Sequence, residues 1–119
     1  MDNKKLLLTD LCSRLPYGVK MNHIADNEHS PSTLIGIVED YIVLHGGGYS
    51  YVPVEDYKPY LFPISSMTEE QRNEYHELLY NPKHGIDIDY FDWCHKNHLD
   101  CRGLIPMGLA INATGLDIY

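Results

Sequence analysis

The sequence predicts an α+β fold: a small antiparallel β-barrel of SH3-like kind, or a curled meander, over about residues 17–63, with an N-terminal helix and two C-terminal helices packed on it. Three observations predict it. Leucines recur at helical spacing near the N-terminus. β-Branched and aromatic runs punctuated by glycine and proline fill the middle. Helical periodicity returns from Ser66. At 119 residues the chain has the length of one domain, 1–119, with a helix plus β-rich part (1–65) and a mainly helical part (66–119).

The elements follow in order. Leu6, Leu7, Leu8, Leu11 and Leu15 give a short amphipathic helix over Lys4–Leu15, ending before Pro16. Tyr17-Gly18 breaks the pattern, and Val19, Met21 and His23 then alternate with Lys20 and Asn22 as in a half-buried strand. Residues 26–32 form a polar loop. Thr33–Val38 and Tyr41–His45 are strands with a turn at Glu39-Asp40. Tyr49–Val54 runs back after Gly46-Gly47-Gly48, a hairpin in which glycine takes positive φ angles cheaply. Pro53 marks an edge position or the end of pairing. Val54–Pro59 reads as one tight helical turn and Tyr60–Phe62 as a last strand.

Ser66 followed by Glu69 is a capping box, opening a helix to about Tyr80 with Met67, Tyr75, Leu78 and Leu79 on one side. Residues 81–85 are a loop. A second helix spans about Ile88 to His98; Ile88, Tyr90, Phe91, Trp93 and Cys94 cover more than one of its faces, so it is expected to be largely buried. Leu109–Ile111 is one further strand.

Composition narrows the function classes. No apolar run approaches the ~20 residues that cross a bilayer, and three leucines before Thr9 are too short for a secretory signal, so the expected location is cytoplasmic, with no membrane partner. Three irregularly spaced cysteines (Cys12, Cys94, Cys101) do not make a disulfide framework. The net charge of −8 repels a phosphate backbone, and direct nucleic-acid binding is not expected. Between residues 69 and 100, eight carboxylates face only Arg72, Lys83 and Lys96. That is what a solvated helix face looks like; it is also the surface an acidic regulator would present, with Glu70, Glu74 and Glu77, to a basic nucleic-acid-processing protein. Protonation of seven histidines would take the charge from −8 to about −1, which predicts poor solubility at mildly acid pH.

Candidate chemistry is sparse. Cys94, His98 and Cys101 fall at i, i+4 and i+7, one face of a continued helix, with ligand types that zinc prefers. No C-x-x-C accompanies them, and a buried free cysteine commonly serves as a small hydrophobe, so no metal and no cofactor are expected. A Cys–His nucleophilic pair lacks a visible oxyanion element. Ser65-Ser66 is outside any G-x-S-x-G context, and Asp87, Asp89 and Asp92 read as helix residues, Asp87 as an N-cap. The triple glycine lacks the G-K-[ST] of a phosphate loop. No catalytic residue emerges.

Tyr49 and Tyr51 share one strand face, with Tyr57 and Tyr60 close behind. In an SH3-like barrel such aromatics line a peptide groove; the competing reading puts one of each alternating set in the core.

The stretches "KPYLFPISSMTEEQ" (58–71), Asp89-Tyr90-Phe91-Asp92-Trp93 and "NHLDCRGLIPMGLAI" (97–111) resemble a family of short uncharacterised phage and prophage proteins of Bacteroides-type gut bacteria, over roughly residues 10–113. The resemblance implies a bacterial cytoplasm and a phage origin, and brings no activity, substrate or cofactor. That family tends to read D-W-L-N and F-D-Y-R-G-L-I here, so Cys94 stands where Leu is usual and Cys101 where Tyr is usual. A site built on both would be private to this chain. The expectation is therefore a non-enzymatic binding or accessory module engaging a protein or a small ligand, with an acidic regulator and then a Cys/His enzyme as alternatives.

Overall fold

The computed structural model describes residues 3–46, 48–80 and 86–119, without the side chains of 78–80 and 86–90. Within them lie helix α1 (Asn3–Arg14), strands β1 (Lys20–His23), β2 (Ser32–Val38), β3 (Tyr41–His45), β4 (Tyr49–Pro53) and β5 (Tyr57–Leu61), helices α2 (Glu69–Tyr80) and α3 (Ile86–Lys96), and strand β6 (Ile111–Asn112). Single 3-10 turns occupy Leu15–Tyr17, Val54–Asp56 and Ile64–Ser66.

The strands form one sheet in the order β4-β3-β2-β1-β5-β6, antiparallel from β4 through β5, with β6 parallel to β5 at Tyr60 and Leu61. The sheet is open, with β4 and β6 as its edges, so of the two forms expected from the strand pattern, barrel or curled meander, closure into a barrel is not seen. β2 carries a bulge. Leu34 opposes Leu44 and Gly36 opposes Val43, so Ile35 is the extra residue that bends the strand.

Alternation sets the core. Leu34, Ile42 and Leu44 point inward with Val19, Met21 and Leu61, and are covered by Leu7 and Leu11 of α1 and by Leu104 and Ala110 of the C-terminal segment. Among the described side chains, those of α2 are exposed or half-buried, and in α3 Cys94 and His95 are buried while Phe91 is exposed and Trp93 half-buried. Leu78, Leu79, Ile88 and Tyr90, assigned to those apolar faces from sequence, lie outside the described side chains.

Several boundaries differ for local reasons. The turn after β4 stops at Asp56, and Tyr57–Pro59 already pairs with β1. Pro59 is tolerated because it opposes Met21 at a non-hydrogen-bonded position, where β1 needs no N–H from it, as the neighbouring bond from Ile24 N–H to Asp56 O (2.9 Å) requires by alternation. The capping box belongs to Thr68 and Gln71: the Gln71 N–H donates to Thr68 Oγ1 (3.1 Å) and the Thr68 N–H to Gln71 Oε1 (3.0 Å). Ser66 instead donates its hydroxyl to Pro63 O at 2.7 Å. At Gly46 the need for glycine is space rather than a left-handed φ, since a Cβ there would sit 2.5 Å from Ser32 Oγ. Gly47 falls outside the described residues.

α1 is fixed to the far end of the chain by buried charge. Arg14 Nε donates to Asp10 Oδ2 at 2.7 Å and its Nη2 to Leu99 O at 2.8 Å, while Arg102 Nε reaches Asp10 Oδ1 at 3.1 Å. Asp10 and Arg14 have no exposed surface, so each ion's lost hydration is offset only by the other partners of this network.

Candidate functional site

The outer face of β2, β3 and β4 carries the exposed aromatics. Cross-strand pairs Val38/Tyr41, Val43/Tyr51, His45/Tyr49 and Tyr41/Pro53 put all these side chains on one side, away from Leu34, Ile42 and Leu44. Tyr49 is 77% and Tyr51 60% exposed, and Val38 51%. The rings are ordered among themselves. Tyr41 stacks on Tyr51, its diagonal neighbour, with centroids 4.9 Å apart and planes 14° from parallel, and His45 meets Tyr49 at 4.9 Å. Tyr41 was not singled out from sequence, although a three-residue connection pairing His45 with Tyr49 places it two positions from Tyr51.

Tyr57 and Tyr60 do not join this face. Tyr57 is half-buried on β5, edge-on to His23 at 5.2 Å, and lines a separate cleft with Leu7, Leu109, Lys4 and Glu55. Tyr60 is buried, its hydroxyl 2.8 Å from His29 Nδ1. The core reading was right for Tyr60, and β5 lies on the other side of β1 from the hairpin.

The acidic stretch divides into separate tasks. Glu70, Glu74 and Glu77 are exposed on α2, and Glu74 accepts from Trp93 Nε1 at 2.9 Å. Asp92 accepts the Tyr17 hydroxyl, a bond that raises the Tyr17 pKa. Asp100 is buried and caps the N–H groups of Leu104 (2.7 Å) and Ile105 (2.9 Å). Three of these carboxylates thus have structural partners. The side chains of Asp87 and Asp89 lie outside the described ones.

The cysteines and histidines are sorted by the way α3 ends. The helix stops at Lys96 and His98 takes a left-handed φ of 57°. The Leu99 N–H then bonds Cys94 O (2.9 Å) and the His98 N–H bonds His95 O (3.1 Å), the two crossed bonds of a Schellman cap. His98 is consequently not on the face of Cys94. It stacks on Tyr119, and burial, then the charges of Arg14 and Lys20, push its pKa down to about 4. The reversal brings Cys101 back over the last helical turn instead, with its Sγ 3.8 Å from His95 Nε2 and in hydrogen-bond contact with the Cys94 thiol. That contact, with help from the His95 ring and the Arg14 charge, holds the Cys101 thiol down at about 5 against the opposing effect of burial. Continuing the helix through His98 selected that residue for the face shared with Cys94 and left His95 as no more than a possible fourth zinc ligand, while Arg14 carries no signal in the sequence that would join it to the cysteines.

Among the described residues no three His, Cys, Asp or Glu side chains are grouped to hold a metal ion, and no helix is long and apolar enough to cross a membrane. No family model matches the chain, and no curated protein and no solved structure matches it either.

Proposed function

We propose that the protein is a binding module that docks an extended, basic segment of a protein partner against the β3–β4 hairpin. One observation carries this: Tyr41 of β3 stacks on Tyr51 of the edge strand β4, Tyr49 of β4 packs against His45, and all three tyrosine rings are nevertheless exposed. An exposed edge offers main-chain donors and acceptors for strand addition, and the rings beside it offer apolar and cation–π contact.

Charge selects the occupant. The chain carries −8, and Glu39, Asp40, Glu55 and Asp56 cluster at the open end of the hairpin, where Lys4 lies 3.3 Å from both Asp40 and Glu55. A segment alternating Lys or Arg with β-branched residues matches both features. An SH3-like fold is part of the same proposal, supported by the strand order β4-β3-β2-β1-β5 and the single 3-10 turn between β4 and β5. So is a phage or prophage origin, for which the sequence resemblance is the support.

Selection of a displayed random peptide library on the purified protein tests the assignment. Enriched peptides should be basic and extended, should lose binding to Tyr49→Ser/Tyr51→Ser, and should keep it when Glu70, Glu74 and Glu77 are reversed to lysine. Loss on the helix reversal with retention on the tyrosine variant would transfer the function to the acidic face of α2.

A further inference from the structure

We propose that Cys101 and Cys94 form a peroxide-reactive dithiol, with Cys101 as the attacking thiolate and Cys94 as the resolving thiol. The assignment stands on how the end of α3 is built, independently of the aromatic face. The left-handed residue at His98 folds the chain back so that a half-buried cysteine lies against a fully buried one. Their sulfurs are in hydrogen-bond contact, and His95 Nε2 lies 3.8 Å from the Cys101 sulfur. Arg14 supplies a buried positive charge next to this turn: it is bonded to the Leu99 carbonyl, and its Nη1 has no hydrogen-bond partner among the described residues. A donor thiol, an imidazole and a guanidinium around one sulfur favour the thiolate, the form that reacts. An ordinary packed cysteine needs none of the three.

The steps balance with hydrogen peroxide as the oxidant. The Cys101 thiolate attacks one peroxide oxygen; the S–O bond forms, the O–O bond breaks, and the departing hydroxide takes a proton from solvent to leave as water. Cys101 is then a sulfenic acid. The Cys94 sulfur attacks the Cys101 sulfur, the S–O bond breaks, and the second hydroxide leaves as water with the Cys94 proton. Two thiols and one peroxide give one disulfide and two waters. His95 and Arg14 are positioning residues that act through the charge on Cys101.

The experiment treats the reduced full chain with one equivalent of hydrogen peroxide at neutral pH, then reads intact mass and maps the linked peptides. The expected product has lost two hydrogens, joins Cys94 to Cys101, and leaves the exposed Cys12 unmodified. In Cys94→Ser, dimedone should capture the sulfenic acid at Cys101. Iodoacetamide should label Cys101 with a midpoint near pH 5. At about pH 6 labelling should be roughly tenfold faster than that of a free cysteine in a short unstructured peptide, allowing for the lower nucleophilicity of an acidic thiolate. His95→Gln should raise that midpoint. Oxidation of Cys12 as fast as Cys101, absence of the Cys94–Cys101 linkage in the wild type, or a labelling midpoint in the ordinary thiol range would overturn the proposal.

Discussion

The imidazole of His98 stacks on the Tyr119 ring, with centroids 3.7 Å apart and planes 12° from parallel. The contact removes His98 from the cysteines and keeps it in its neutral form, because burial and the charges of Arg14 and Lys20 oppose a proton there. A depressed folded-state pKa of about 4 against about 6.5 in the unfolded chain fixes the sign. Between those values the unfolded chain binds a proton that the folded chain refuses. The contribution is present above about pH 6.5 and is lost as pH falls toward about 4. Urea midpoints measured across that range should decline in the wild type. His98→Asn, which keeps a side chain tolerant of the left-handed φ, should decline less steeply. Parallel pH profiles for the two proteins would refute this.

Tyr119 has a second task that its aromatic ring conceals. Its hydroxyl accepts from the Lys20 N–H and donates to Tyr60 O, both at 2.8 Å. These are the backbone groups that would form the next rung of the β1–β5 ladder, so the hydroxyl stands in for that rung. Tyr119→Phe retains the stack and strands both groups. It should cost about 1–3 kcal/mol in thermal or chemical denaturation. A loss below about 0.5 kcal/mol would mean that the strands close up without it.

The Asp10–Arg14 pair should show the asymmetry of buried charge. Removing one partner leaves a poorly compensated buried ion, Arg14 with only the Leu99 carbonyl in Asp10→Asn and Asp10 with only Arg102 in Arg14→Met, and should destabilise by about 3–5 kcal/mol in the first case and less in the second. Replacing both with apolar residues, Asp10→Leu with Arg14→Met, should recover much of that loss even though the bonds to Leu99 and Arg102 go with it. A double variant as unstable as the sum of the singles would locate the main stabilisation in those outer bonds.

The hairpin tyrosines should separate stability from binding. Tyr49→Ser and Tyr51→Ser remove rings that are mostly solvent-exposed, and each should change unfolding free energy by no more than about 1 kcal/mol. Tyr60→Ala empties a buried site and should cost about 3–5 kcal/mol. Equal losses at Tyr51 and Tyr60 would return the hairpin aromatics to a packing role.

What could be read from sequence divides along physical lines. Local signals carried well. Leucine spacing located α1, glycine and proline punctuation located the β2–β3–β4 meander, and Pro53 does lie at the end of the edge strand. Non-local pairings were invisible. Nothing in residues 57–61 announces that they join β1, or that β6 pairs with them in parallel, because partner choice depends on the whole sheet. The sharpest error came from one residue. His98 has no turn signature, so the pattern continued the helix through it and grouped Cys94 with His98, whereas a left-handed residue there groups Cys94, His95 and Cys101. On the hairpin, alternation correctly gave Tyr49 and Tyr51 one side, but two-residue periodicity alone does not say which side is core.

Docking on the face that carries Tyr41, Tyr49 and Tyr51, beside the open edge, makes a prediction residue by residue. Amide chemical-shift mapping on the labelled protein, titrated with a peptide enriched by the library selection, tests it most directly. Shifts concentrated at Tyr41, Val43, Tyr49 and Tyr51 and along the outer side of β4, with α2 unmoved, are the predicted result. Shifts centred on Glu70, Glu74 and Glu77, or on the cleft between Leu7 and Tyr57, would contradict it.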